Sequence, residues 1–84
     1  MADGERLGEV VHYFDHVQVA VVRLSRALKQ GQRLHFHGAH TDFEQVAASL
    51  QVDHKPVDGA APGSEVAVKV DQRARRGDDV FEVV

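Results

Sequence analysis

The stretch Leu34-His35-Phe36-His37-Gly38-Ala39-His40 places three of the chain's six histidines within six residues. Imidazole is a ligand for zinc, copper and nickel, so His35, His37 and His40 are the first candidates for chemistry. On an extended strand His35 and His37 share one face with their Cα atoms ~7 Å apart, a spacing from which two rings can converge on one ion. A structural zinc site needs four protein ligands and a catalytic one needs three, so the pair requires another donor, and His40 lies beyond Gly38, where the strand ends. The competing reading is a solvent-facing histidine pair. Asp42 and Glu44 form a carboxylate pair suited by type to acid–base work, but the surrounding residues supply no apolar pocket to raise a carboxyl pKa. Asp42, Glu44 and Gln45 are therefore expected to serve partner recognition from a polar segment, with Phe43 anchored in the core. Arg73, Arg75 and Arg76 offer contacts to phosphate, with Asp71, Asp78 and Asp79 near enough in sequence to offset their charge. Tyr13 and Phe14 offer a stacking face, although alternation sends one of them inward.

Several classes of chemistry are excluded by what the chain lacks. There are no cysteines, which removes disulfides, thiolate metal sites and a cysteine nucleophile. No phosphate-binding G-x-x-x-x-G-K-[ST] loop occurs, so GTP binding and hydrolysis are not expected, and no cofactor is implied. The net charge of −3 argues against binding nucleic acid through bulk charge, and protonating all six histidines would carry it to +3. The N-terminal residues lack the pattern of a signal peptide, and no apolar run approaches the ~20 residues of a membrane span. The expectation is a soluble, cytoplasmic chain with no membrane partner.

The elements that must hold these residues read as strands. The chain has 84 residues, is 43% hydrophobic and only 6% aromatic, and valine dominates its apolar set, which suits a pleated surface better than a helix. After a flexible start at residues 1–6, a single domain is expected over 7–84. Residues 7–14 and 17–24 read as a hairpin around Asp15-His16, and the second strand is apolar on both faces. Residues 25–32 read as a connecting loop, because Gly31 cuts any helix short. Residues 33–38 alternate, with Leu34 and Phe36 inward and His35 and His37 outward. Residues 41–53 fit both a helical and a strand spacing, and the strand is favoured for 45–53 by its stricter alternation. Val66, Val68 and Val70 point inward from another strand, and "VFEVV" closes the chain. About six strands with no helix imply an all-β fold, a small closed antiparallel barrel whose closure removes exposed edges.

The order of these pieces, "ALKQGQRLHFHG", "TDFEQ" leading into "SLQVDH", "APGSEVAVKV" and "RRGDDVFEV", resembles the β-barrel second domain of translation elongation factor GTPases, and the small stand-alone elongation factor-like proteins above all. That resemblance spans about residues 8–84. It implies a non-catalytic, translation-related binding module whose partner is RNA, a ribonucleoprotein or a protein. No tRNA-contacting residue carries over, since Ser25 stands where an acidic residue is expected. Similar barrels also occur at the C-terminal end of U32-family peptidases, where the barrel is not the catalytic unit. A detached accessory domain of such an enzyme is therefore an alternative.

Overall fold

The structure is a computed structural model that describes residues 3–84. Ten strands form in order: β1 (Asp3–Phe14), β2 (Val19–Leu24), β3 (Leu28–Lys29), β4 (Arg33–Gly38), β5 (Thr41–Val46), β6 (Leu50–Val52), β7 (Lys55–Val57), β8 (Gly59–Ala60), β9 (Glu65–Lys69) and β10 (Asp79–Val83). The fold is all-β, with no helix among the described residues and so none long and apolar enough to cross a membrane. Eight strands make one sheet in the order β5-β4-β10-β1-β2-β9-β6-β7, and β3 pairs with β8 in a small second sheet.

Alternation builds the core. Leu34 and Phe36 of β4, Val22 and Leu24 of β2, Val66 and Val68 of β9 and Val80 of β10 are all buried, while their odd-phase neighbours face out. Phe43 of β5 stacks on Phe36 with ring centroids 4.8 Å apart and planes 10° from parallel. Each large apolar side chain taken from water contributes ~1.5–3 kcal/mol, which makes this cluster the main source of stability in a chain without disulfides. The chain turns sharply at "KQGQ", "APG" and "RRGDD", where Gly31, Gly63 and Gly77 are left-handed with φ of 96°, 89° and 94°.

Several boundaries differ from those read in the sequence. β1 begins at Asp3 and reaches into the stretch expected to be a flexible start; residues 1 and 2 lie outside the described residues. The loop expected over 25–32 contains the two-residue β3, and β2 begins at Val19 because Asp15 to Gln18 form the turn. Thr41 and Asp42 open a strand. The strand expected over 45–53 is two strands. Ala47, fully buried, still pairs with the β4 side through Gly31 and Gln32, whereas the Ser49 carbonyl already accepts from the Lys69 amide. Three residues, 47–49, therefore carry the chain from one end of the sheet to β6, next to the other end. Three linking residues span at most ~14 Å, so the sheet must roll until its ends approach. The backbone ladder itself stays open, since no strand pairing joins β5 to β6, β7 or β9.

Across that seam reaches Gln45. Its Nε2 donates to the Lys69 carbonyl at 2.7 Å, and its Oε1 accepts from the Asp71 amide at 2.8 Å. A side-chain amide carries one donor and one acceptor side, as a peptide group does, so Gln45 extends β5 by one rung onto the chain leaving β9.

β1 also contains an irregularity that periodicity does not reveal. Val10 faces Val22 across the ladder but His12 faces Val21, so Val11 is an extra residue and the side-chain phase flips. Beyond the bulge Tyr13 packs against the core, and His12 and Phe14 turn outward. Their rings meet edge to face at 4.3 Å.

Candidate functional surfaces

The β4–β5 hairpin brings the histidine stretch and the acidic stretch together. The register opposes His37 to Asp42 and His35 to Glu44, with the outward side chains of both strands on one face. His35 Nε2 lies 2.6 Å from Asp42 Oδ1, the imidazole N–H donating to the carboxylate. That hydrogen bond holds the exposed Asp42 carboxyl below its ordinary pKa, with the charges of His35 and His37 adding to it. The His35 and His37 rings are 5.5 Å apart and tilted by 60°, and Phe81 of β10 approaches His35 at 6.4 Å. Glu44 is engaged elsewhere, accepting from Arg33 Nε at 3.0 Å. His40 stands exposed in the turn beyond Gly38. Among the described residues no three histidine, aspartate or glutamate side chains are placed to hold a metal ion. The sequence thus brought the right residues to one face, while the partner of His35 is a carboxylate.

The acidic segment was expected to be a polar binding loop, and it is an edge strand. Asp42 and Glu44 project outward from β5, but Gln45 points inward, is 8% exposed and has both ends of its amide taken up by backbone. It holds the seam of the sheet and offers nothing to a partner. The odd phase of Thr41, Phe43 and Gln45 fixes that direction.

The arginine turn is more rigid than its composition suggests. Ala74 is fully buried beneath it, Asp78 is 4% exposed, and Asp78 Oδ2 accepts from the Arg75 amide at 2.6 Å. The turn is stitched to β1 by Gly77 N–H to the Val10 carbonyl and Val10 N–H to the Asp78 carbonyl. Gly38 of β4 packs so closely on the Asp78 carboxylate that a Cβ there would overlap it. The expected offsetting of Arg73, Arg75 and Arg76 by Asp78 and Asp79 is not how these acids are used. Asp78 caps the turn's backbone, and Asp79 pairs with Arg6 at 2.9 Å. Arg23, Arg26 and Arg33 are likewise paired, with Glu65, Glu5 and Glu44. Arg73, Arg75 and Arg76 stay exposed.

One surface was missed. Phe14, Val17, Val19, Val21 and Ala67 line an outward groove with Gln51, Asp53, His54 and Glu65 at its border. The sequence did signal a second apolar face on β2, but that face was assigned to burial within the fold. A single rolled sheet covers one face only, so Val19 and Val21 stay half-buried. The membership of Phe14 depends on the Val11 bulge, which no alternation pattern contains.

Comparison with known proteins bears on all of these surfaces. No protein-family description matches the chain. It is 37% identical over 76 residues to an uncharacterized protease of Methanocaldococcus jannaschii, a match that covers 89% of this chain and 19% of that protein. The chain thus spans about a fifth of the length of the curated relative it matches. Among solved structures it superposes on the C-terminal domain of a putative U32 peptidase of Geobacillus thermoleovorans with a TM-score of 0.88 at 22% identity, covering 95% of this chain and 93% of that one. The selenomethionine variant of the same domain gives the same TM-score and identity over 93% and 99%. These findings correct the resemblance to elongation factor barrels and the translation and RNA-binding roles drawn from it. The shared pieces, K-x-G, P-G and R-G-D, encode left-handed turns into short valine strands, which any small rolled sheet requires whatever it binds. The fold is that of the C-terminal domains of U32 peptidases.

Proposed function

We propose that this chain is a non-catalytic accessory domain of a U32-type peptidase. The observation that carries this reading is the pairing of two matches: a protease 37% identical over nearly the whole chain but about five times its length, and a fold otherwise seen as the C-terminal domain of such an enzyme. The site geometry agrees with it. Asp42 is an exposed carboxylate bonded to His35, Glu44 is tied to Arg33, and neither sits in an apolar pocket that would tune it for proton transfer. Gln45 joins β5 to the chain leaving β9, and this contact and the three-residue link at 47–49 support a sheet rolled toward a barrel. Such a scaffold is rigid and carries its variation on outer faces, which suits positioning better than chemistry. The absence of cysteine is in keeping with a reducing compartment, and we place the domain in the cytoplasm.

The test is enzymatic. The chain alone is expected to leave casein and unstructured peptides uncut over a day, while a preparation that also contains the peptidase unit cuts them. Hydrolysis by the purified chain that disappears with Asp42→Asn or His35→Gln would overturn the proposal.

A further inference from the structure

The groove on the outer face of β2 and β9 is an apolar surface that the fold leaves open. Phe14 and Val17 are 46% and 54% exposed. The ladder pairs Phe14 with Val19 and Val21 with Ala67, which sets these side chains in adjoining rows on the face opposite the core. β2 is then apolar on both sides, with Ala20, Val22 and Leu24 inward and Val19 and Val21 outward, which is the pattern of a strand covered on both faces. Contiguous outward apolar side chains rimmed by polar ones mark interaction surfaces.

The left-handed non-glycine residues lie at the same place. Three non-glycine residues adopt left-handed conformations: Gln18 (φ 55°), Asp53 (φ 52°) and His54 (φ 64°). Gln18 follows Val17 in the β1–β2 turn, and Asp53 and His54 form the two-residue β6–β7 turn; Val17, Asp53 and His54 all line the groove. A turn of this kind with both central residues left-handed accepts glycine most readily, as the chain does at Gly31, Gly63 and Gly77 elsewhere.

The remaining length of the relative identifies the occupant. There the matched segment is joined to some four-fifths of a protease chain that this fold does not include. We propose that the groove seats that peptidase unit, on the same chain or a separate one, through an apolar ridge that packs against Phe14, Val17, Val19 and Val21. This rests on the accessory-domain reading and adds to it the face through which the domain docks.

Photo-cross-linking in the cell of origin tests it on the native assembly. Benzoylphenylalanine is placed at position 14 in the groove, and separately at positions 44 and 75 as controls on other faces, and the cross-linked peptides are sequenced. The expected result is a cross-link from position 14 to a U32-type peptidase sequence and none from 44 or 75. Val21→Asp and His54→Gly, both at exposed or half-buried positions, should each lower the yield from position 14 by about tenfold, as removal of one well-packed interfacial side chain does. Peptidase cross-links from 44 or 75 but not 14 would overturn the groove while leaving the accessory-domain reading in place. Absence of peptidase sequences at all three positions, or their replacement at position 14 by a second copy of this chain or an unrelated protein, would overturn both.

Discussion

Replacing Gln45 by leucine should unseat the seam where the rolled sheet meets itself. Leucine retains most of the volume, so the change removes hydrogen bonds more than packing. It leaves the Lys69 carbonyl and the Asp71 amide without their partners at 2.7 and 2.8 Å. An orphaned, partly buried polar group costs ~1–3 kcal/mol, so two of them should cost ~2–6 kcal/mol in all. A domain of this size has a total stability of roughly 4–12 kcal/mol, which makes the loss a large fraction. At about 4–8 °C per kcal/mol, Tm should fall by ~8 °C or more in a thermal melt followed by far-UV circular dichroism. Urea melts should show a lower midpoint with an unchanged slope, and the Asp71 amide should lose protection from exchange. Gln45→Glu sharpens the test through pH. Only the protonated acid can donate to the Lys69 carbonyl, so folding raises this carboxyl's pKa above its unfolded value of ~4.3. Stability tied to a raised pKa is fully present below the unfolded value and is lost as pH rises through the folded one. Measured against wild type at each pH, the glutamate variant should be near neutral at about pH 3.5 and at least as damaged as the leucine variant at pH 7. A leucine variant within ~0.5 kcal/mol of wild type, or a glutamate variant with no pH-dependent difference, would refute the bridging role.

Three further outcomes are expected. Gly38→Ala drives a Cβ into the Asp78 carboxylate that caps the arginine turn, and should cost ~2–3 kcal/mol in denaturant melts, with a loss below ~0.5 kcal/mol counting against that packing. The Asp42 carboxyl should titrate below the ordinary aspartate range by NMR, and its folded-state contribution is present above the unfolded pKa and lost as pH falls through the folded one; His35→Gln should return the midpoint upward, and an unmoved midpoint would deny the hydrogen bond. Zinc at about 100 μM should leave Tm unchanged, because His35, His37 and His40 lack a third converging donor; a stabilisation of ~2.7 kcal/mol, as a site of about 1 μM affinity would give, abolished by His37→Ala, would establish the metal reading.

The alternation of Leu34, His35, Phe36 and His37 was readable at once, because side-chain direction in a strand depends only on parity. The same rule placed Val66, Val68 and Val70 in the core, and the turn glycines were readable because left-handed backbone has few other occupants. What parity could not show were the places where parity breaks. The Val11 bulge moved Phe14 outward and Tyr13 inward, and the crossing at 47–49 split one expected strand into two at opposite ends of the sheet. Gln45 was misread for a related reason. A polar residue in a polar-looking segment suggests a surface, and only the rolled topology reveals that Lys69 and Asp71 lie within its reach. The kinship was misassigned because turn chemistry is shared among small barrels, whereas the features that separate them are the outer faces, where the sequence constrains direction but not partner.

If this domain works joined to a peptidase unit and has no chemistry of its own, the composition of the native species that contains it will show that. The species is isolated through the chain from its own cell and examined by native mass spectrometry and peptide sequencing. The expected result is a defined assembly in which each copy of this domain accompanies one U32-type peptidase sequence, covalently linked or not. A native species made of this chain alone, or a stoichiometric complex with no peptidase in it, would contradict the proposal.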